Sequence, residues 1–142
     1  MMHEITVRHT FEAAHRLPHL PGKCTSLHGH SWSVVVTVAA PALDERGMVV
    51  EFGAFKTLLR GWIDDRLDHG AMLGGDDPLA AMLGEHGRVF SMPRWWPTVE
   101  SVARLLGEVA SELLATVPRA PQARVIRVDL TETAANGASW VA

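Results

Sequence analysis

The hydrophobic period of the chain changes twice, and the order of these changes constrains the fold most strongly. Two segments repeat their apolar residues at helical spacing, residues 52–66 and a longer one after Pro97. Four other segments have the alternation or the β-branched and aromatic content of strands: residues 5–11, 28–39, 124–131 and 137–141. The order strand, strand, helix, helix, strand, strand predicts an α+β fold, a four-stranded antiparallel sheet with two helices packed on one face.

The ends of the second helix are marked in the sequence. Thr98 is its predicted N-cap, Glu100 lies in its first turn, and Pro118 ends it. The glycine-rich residues 70–93 predict a loop with one helical turn at residues 78–83. Nothing resembles a linker between domains, so residues 1–142 are predicted to form a single domain.

Composition excludes several classes of function and partner. A net charge of −3 argues against a broad surface for nucleic acid or membrane. The single cysteine, Cys24, cannot form an intrachain disulfide and fits a reducing cytosol. The N-terminus lacks a signal-peptide pattern, and the most apolar stretch, residues 32–40, is far shorter than the ~20 residues that span a bilayer. We therefore expect a soluble, cytoplasmic protein whose two open sheet edges favour a homo-oligomer.

Three histidines predict a metal site. His28 and His30 are two residues apart on a predicted strand, so both side chains point to the same face, and Gly29 leaves room between them. His15 ends the preceding strand, and a short loop brings it alongside. Three neutral imidazoles with one open position are typical of a catalytic zinc site. An isolated His-x-His is as often a pair of surface histidines, but His15 and Cys24 nearby favour metal binding.

Cys24 has two functional interpretations that spacing does not separate. It could be the fourth ligand of a closed, structural Cys-His3 zinc site. It could instead stand beside an open metal as a thiolate that acts as base or nucleophile. A buried structural cysteine is less attractive because Lys23 and Thr25 flank it.

Two further positions carry candidate chemistry. Asp68 next to His69 could orient the imidazole and form a proton relay, although a helix-end histidine beside a solvated carboxylate is the better explanation when the pair is taken alone. Glu132 ends a predicted strand and could bind a guanidine-like ligand edge through paired hydrogen bonds. Without other evidence, Glu132 is only a carboxylate at the end of a strand.

Five motifs in register resemble one family over nearly the whole chain, from Phe11 to the C-terminus. The motifs are Phe11-Glu-Ala-Ala-His15-Arg-Leu17, Lys23-Cys24-x-x-x-His28-Gly-His30, Leu67-Asp68-His69, Pro97-Thr98-x-Glu100 and Glu132-Thr133. Their order and spacing resemble the 6-pyruvoyltetrahydropterin synthase superfamily, most closely its bacterial 6-carboxytetrahydropterin synthase branch. This resemblance implies the tunnelling fold, in which subunits assemble into a barrel as trimers or hexamers with active sites between subunits.

The resemblance also implies a role for each candidate residue. His15, His28 and His30 would bind Zn²⁺, and Cys24 would be the general base. Asp68 and His69 would complete the proton relay, while Glu132 and Thr98 would bind the substrate. The implied reaction converts 7,8-dihydroneopterin triphosphate to 6-carboxy-5,6,7,8-tetrahydropterin with release of acetaldehyde and triphosphate, in queuosine or 7-deazapurine biosynthesis.

The sequence departs from the family pattern at three places. Glu51 stands where the family usually has aspartate, a change expected to affect a helix start more than the chemistry. The asparagine that commonly follows the Asp68-His69 motif is absent, and the glycine-rich loop with Trp95 and Trp96 is peculiar to this chain. Two rival functions remain: a 6-pyruvoyltetrahydropterin synthase, and a non-catalytic binding module stabilised by a closed Cys-His3 zinc site.

Overall fold

Six strands form one mixed sheet in the computed structural model, which describes residues 1–142. The strands are β1 (His3–His15), β2 (His28–Ala40), β3 (Gly70–Leu73), β4 (Val89–Ser91), β5 (Arg124–Thr131) and β6 (Gly137–Val141). The helices are α1 (Phe52–Arg66), α2 (Leu79–Gly84) and α3 (Val99–Leu114). The strands lie in the order β4-β3-β1-β2-β5-β6. None of the helices is long and apolar enough to cross a membrane.

The prediction of a four-stranded antiparallel sheet was wrong in number and in direction. The four predicted strands do pair antiparallel, as β1 with β2, β2 with β5 and β5 with β6. The predicted loop of residues 70–93 holds β3 and β4, which extend the sheet by parallel pairing from β1. Strands of three or four residues are too short to show a period, so the sequence pattern did not reveal them. The single helical turn predicted in this loop is confirmed as α2.

Side chains cap the two long helices, and one of them, Thr98, is the N-cap that the sequence predicted. The Glu51 carboxylate accepts hydrogen bonds from the amides of Gly53 and Ala54 at 3.0 and 2.7 Å and begins α1. Thr98 Oγ1 accepts from the Ser101 amide at 3.1 Å and begins α3. The glutamate at position 51 therefore does affect the start of a helix.

The β1–β2 hairpin places the three histidines at the end of the hydrophobic core. On its helix-covered face the hairpin contributes buried side chains that include Val7, Phe11, Trp32, Val34 and Val36. His15 lies directly opposite His28, and Ala13 lies opposite His30. Since side chains two residues apart share a face, the core stripe of each strand continues into these histidines.

Candidate metal centre

Three imidazoles converge where β1 ends and β2 begins. One ring nitrogen from each of His15, His28 and His30 lies within 4.8 Å of the other two. His15 is 1% exposed, and the other two are partly buried. The structure therefore brings together the three predicted ligands in a cluster that could hold a metal ion.

Backbone carbonyls orient two of the rings. His15 Nδ1 donates to the Pro97 carbonyl oxygen at 2.7 Å, and His28 Nδ1 donates to the Ser26 carbonyl oxygen at 2.7 Å. A neutral imidazole that donates from Nδ1 has its lone pair on Nε2. The two Nε2 atoms face each other at 3.1 Å, so two acceptors are directed at one point. Such an arrangement is favourable when a cation lies between them, and the donor set fits a metal ion.

The protonation state of His15 agrees with this interpretation. Burial lowers the pKa of His15 to about 4, with His28 and His30 adding to the shift, although the hydrogen bond to Pro97 opposes it. His15 is therefore neutral at pH 7 and able to bind a metal ion.

Trp32 forms the apolar wall behind the cluster. Its ring is fully buried and lies edge-on to His15 and His30, with centroids 5.0 and 5.7 Å apart. Its indole Nε1–H donates to the Ala13 carbonyl oxygen at 3.0 Å, which fixes the ring. The wall shields one side of the cluster from water and packs against two of its three imidazoles.

Glu132 lies beside the same cluster. One carboxylate oxygen is 3.6 Å from His15 Nε2 and 3.9 Å from His30 Nε2. Its backbone amide donates to Asn136 in the turn after β5, and the side chain is 18% exposed. The structure therefore brings the predicted substrate-binding carboxylate to the histidines, a proximity that the sequence alone did not reveal.

Cys24 is not part of the histidine cluster. It lies in a 3-10 turn, Lys23–Thr25, in the loop between β1 and β2, and it is exposed. Its carbonyl oxygen accepts a hydrogen bond from the Leu17 amide at 2.7 Å. This placement disfavours the closed Cys-His3 site, because only the histidines converge.

Asp68 and His69 form the predicted hydrogen-bonded pair, here called the dyad. Asp68 Oδ2 and His69 Nδ1 are 2.8 Å apart. The Glu12 amide donates to Asp68 Oδ1 at 2.8 Å, and this bond, aided by His69, holds the pKa of Asp68 below its usual value. The His69 amide donates to the Glu12 carbonyl oxygen, and His69 has a left-handed φ of 57°. The dyad is thus fixed to the backbone of β1.

The dyad and the histidine cluster lie on opposite faces of the sheet. His69 lines a cavity of about 340 Å³ together with Glu12, Ala14, Gly29 and Ser31 on the open face of the hairpin, and Ala13 and His30 also reach this cavity. The open-face positions alternate with His15, His28 and His30, which point to the helix-covered face. Within one chain, the side chain of His69 is hydrogen-bonded to Asp68 and not to the cluster, and of the three predicted ligands only His30 lines the same cavity.

Thr98 is engaged as a helix cap. Besides accepting from the Ser101 amide, its hydroxyl donates to Ser101 Oγ at 3.0 Å. The neighbouring Pro97 is closer to the predicted chemistry, because its carbonyl oxygen orients His15. Sequence reasoning missed this role, since no residue type marks a functional backbone carbonyl.

Comparison with known proteins shows which family this chain belongs to. A family model described as 6-pyruvoyl tetrahydropterin synthase matches residues 4–141, and the chain belongs to that family. The chain is similar to a Rickettsia bellii protein named 6-carboxy-5,6,7,8-tetrahydropterin synthase, 38% identical over 104 residues, which are 72% of this chain and 75% of the relative. An Aquifex aeolicus protein of the same name is 31% identical over 123 residues, 83% of this chain and 75% of the relative.

Solved structures show the same fold. A protein of uncharacterised function from Wolinella succinogenes aligns with a TM-score of 0.79 and 22% identity, covering 99% of this chain and 98% of its own. The 6-pyruvoyl tetrahydropterin synthase of Caenorhabditis elegans aligns with a TM-score of 0.73 and 21% identity, covering 100% and 96%. The expected fold of a single tunnelling-fold subunit is therefore confirmed, with six strands in this chain's sheet in place of the predicted four.

Proposed function

We propose that the chain is a zinc-dependent 6-carboxy-5,6,7,8-tetrahydropterin synthase. It would convert 7,8-dihydroneopterin triphosphate to 6-carboxytetrahydropterin, acetaldehyde and triphosphate, as a step of queuosine or 7-deazapurine biosynthesis. The observation that carries the proposal is the convergence of His15, His28 and His30 beside Glu132. The names of the Rickettsia and Aquifex relatives support the same activity.

The residues divide the chemistry between binding and proton transfer. The three histidines would hold Zn²⁺, which when bound supplies a Lewis acid for the oxygens of the substrate side chain. Glu132 would accept hydrogen bonds from the guanidine-like edge of the pterin ring and so fix its orientation. We also assign Thr98 to the substrate-binding set, although its hydroxyl serves as a cap.

Cys24 would remove a proton from the substrate side chain. A thiolate is the competent form, and the absence of the thiol from the ligand cluster leaves it available as a base. In the dyad, Asp68 would hold the Nδ1 proton of His69, so that His69 Nε2 can accept or return a proton.

A homo-oligomer would bring the separated parts together. Because the dyad lies on the open face and the cluster on the covered face, we propose that the dyad of one subunit completes the site of another. The unpaired edges at β4 and β6 support assembly into a trimer or hexamer. The only cysteine, Cys24, is an exposed free thiol, which supports a cytoplasmic location.

A second candidate is a 6-pyruvoyltetrahydropterin synthase, the name that the family model and the Caenorhabditis elegans structure carry. That enzyme would expel triphosphate but retain all three side-chain carbons, so acetaldehyde distinguishes the two. The non-catalytic module is disfavoured because Cys24 lies outside the cluster and a structural site has no use for the dyad.

The test is a paired assay of the wild-type protein and Cys24→Ala. Zinc per chain and turnover of dihydroneopterin triphosphate, with detection of acetaldehyde, are measured for both. We expect both proteins to retain zinc and only the wild type to release acetaldehyde. Turnover without acetaldehyde would favour the 6-pyruvoyl reaction, and zinc loss in Cys24→Ala without wild-type turnover would favour the structural site.

A further inference from the structure

One segment that lies outside the family motifs except for its last residue, Pro97, contacts the start of the Cys24 loop at two points and the preceding residue, His15, at a third. The segment comprises residues 74–97, from the end of β3 to the start of α3, and is called here the clamp segment. The Cys24 loop comprises residues 16–27, between β1 and β2. The contacts pair Asp77 with Arg16, Trp96 with His19, and Pro97 with His15.

The first contact is a largely buried, bidentate ion pair. Arg16 donates from Nε to Asp77 Oδ2 at 2.7 Å and from Nη2 to Asp77 Oδ1 at 2.6 Å. The Asp77 side chain is fully buried and that of Arg16 is 19% exposed. Asp77 Oδ1 also accepts from the Leu79 amide at 2.9 Å, so the carboxylate is fixed at the start of α2. This bidentate geometry fixes both the distance and the relative orientation of the Arg16 and Asp77 side chains.

The second contact is a ring stack. Trp96 lies 4.8 Å from the His19 ring at an interplanar angle of 15°. Its ring also packs against Gly74, where an added Cβ would approach within 2.4 Å of the indole. The indole therefore bridges the end of β3 and an otherwise exposed loop residue, and only glycine leaves room for it.

These contacts affect the position of Cys24, because Leu17 connects the anchored residues to it. Leu17, between the two anchored residues, is buried, and its amide donates to the Cys24 carbonyl oxygen at 2.7 Å. Most other residues of the loop are exposed, among them Leu20, Gly22 and Lys23. The position of the thiol consequently depends on residues 16–19, and these are held by the clamp segment.

We propose that Asp77 and Trp96 are positioning residues that hold the Cys24 loop in a fixed position relative to the histidine cluster. Pro97 in the same segment orients His15, so one segment contacts both the Cys24 loop and a predicted metal ligand. The importance for turnover rests on the proposed function of Cys24, whereas the anchoring of the loop does not.

The test compares Asp77→Asn and Trp96→Leu with two control variants. Asp76→Asn makes the same chemical change at the adjacent exposed position, and Trp96→Phe keeps an aromatic partner for His19. Amide hydrogen exchange is measured for the loop amides of Leu17, Leu20, Thr25 and Ser26, which are hydrogen-bonded, and for the β1–β2 ladder. Zinc content, kcat and KM are measured on the same preparations.

We expect loop exchange to accelerate about tenfold or more in Asp77→Asn and Trp96→Leu, with the ladder unchanged. In both, kcat should fall by about tenfold while KM stays within about twofold, because the base is displaced rather than the binding groups. Asp76→Asn should match the wild type, and Trp96→Phe should restore most of the kcat and the loop protection.

Two results would overturn the proposal: loop exchange that stays at the wild-type rate, or exchange that rises equally in the ladder. Should Asp77→Asn fail to fold, Trp96→Leu and Trp96→Phe decide the question. A wild type without turnover whose variants still lose loop protection would contradict the proposed function and leave the anchoring intact. Active wild type with unchanged loop exchange in the variants would contradict the anchoring alone.

Discussion

The histidine cluster and the Asp68–His69 dyad are built in opposite ways. His15 is 1% exposed, lies against Trp32 and donates to a backbone carbonyl that fixes its ring. His69 is 78% exposed on the open face, and its only side-chain hydrogen bond is to Asp68. The difference agrees with the proposal that the metal ligands come from one chain and that a second subunit supplies the groups for proton transfer.

Loss of one ligand should produce the largest effect. His28→Ala removes one of the two opposed Nε2 lone pairs, so we expect zinc to fall from about one per chain to below about a tenth and turnover to be lost. Zinc is measured by elemental analysis after dialysis. His86→Ala, an exposed histidine outside the cluster, is the matched control and should keep both. Full zinc content in His28→Ala would contradict the proposed ligand set.

Loss of the dyad should reduce the catalytic activity but leave the zinc content unchanged. His69→Ala should lower kcat by about 10² or more with zinc unchanged, because His69 is not one of the three clustered histidines. Refolding equal amounts of His69→Ala and Cys24→Ala chains together should restore about a quarter of wild-type activity, since random assembly pairs intact partners in that share of sites. No recovery in the mixture would mean that both groups act from the same chain.

The stability of the metal-free protein should fall between about pH 6.5 and pH 4. The pKa of His15 is 6.5 when unfolded and about 4 when folded, so the unfolded chain binds the extra proton in this range. This contribution is fully present above pH 6.5 and is lost as the pH falls through 4, at a cost of about 3 kcal/mol. Urea denaturation at several pH values measures it. The same pH slope in His15→Gln would contradict the assignment to His15.

Substitution of Thr98 should have the smallest effect, a modest loss of stability. Thr98→Ala removes the N-cap of α3 and should lower the free energy of unfolding by about 1 kcal/mol, or Tm by about 2–4 °C. KM should not change if capping is the main role, and Thr98→Ser should behave as the wild type. A raised KM with unchanged Tm would instead favour the substrate-binding role.

The cluster could be predicted because its geometry is local. His28 and His30 share a face through the period of one strand, and His15 is their cross-strand neighbour after a short loop. The same alternation predicted the four longer strands and, with helical spacing and caps, the two long helices. These features depend on residues close in sequence.

The parts of the fold and of the site that the sequence did not predict depend on contacts between residues that are distant in sequence. The carbonyl that orients His15 belongs to Pro97, 82 residues away, and the partner of Arg16 is Asp77 in a segment predicted as loop. The face on which the dyad lies is set by the parallel register of β1 with β3 and by the left-handed backbone of His69. Neither leaves a period in the sequence.

X-ray absorption at the zinc edge of the loaded protein tests most directly whether the centre is an open three-histidine site. We predict three imidazole nitrogens at about 2.0–2.1 Å and an oxygen ligand, with the same spectrum in Cys24→Ala. A sulfur atom at about 2.3 Å that disappears in Cys24→Ala would place Cys24 on the metal and contradict its role as a free base.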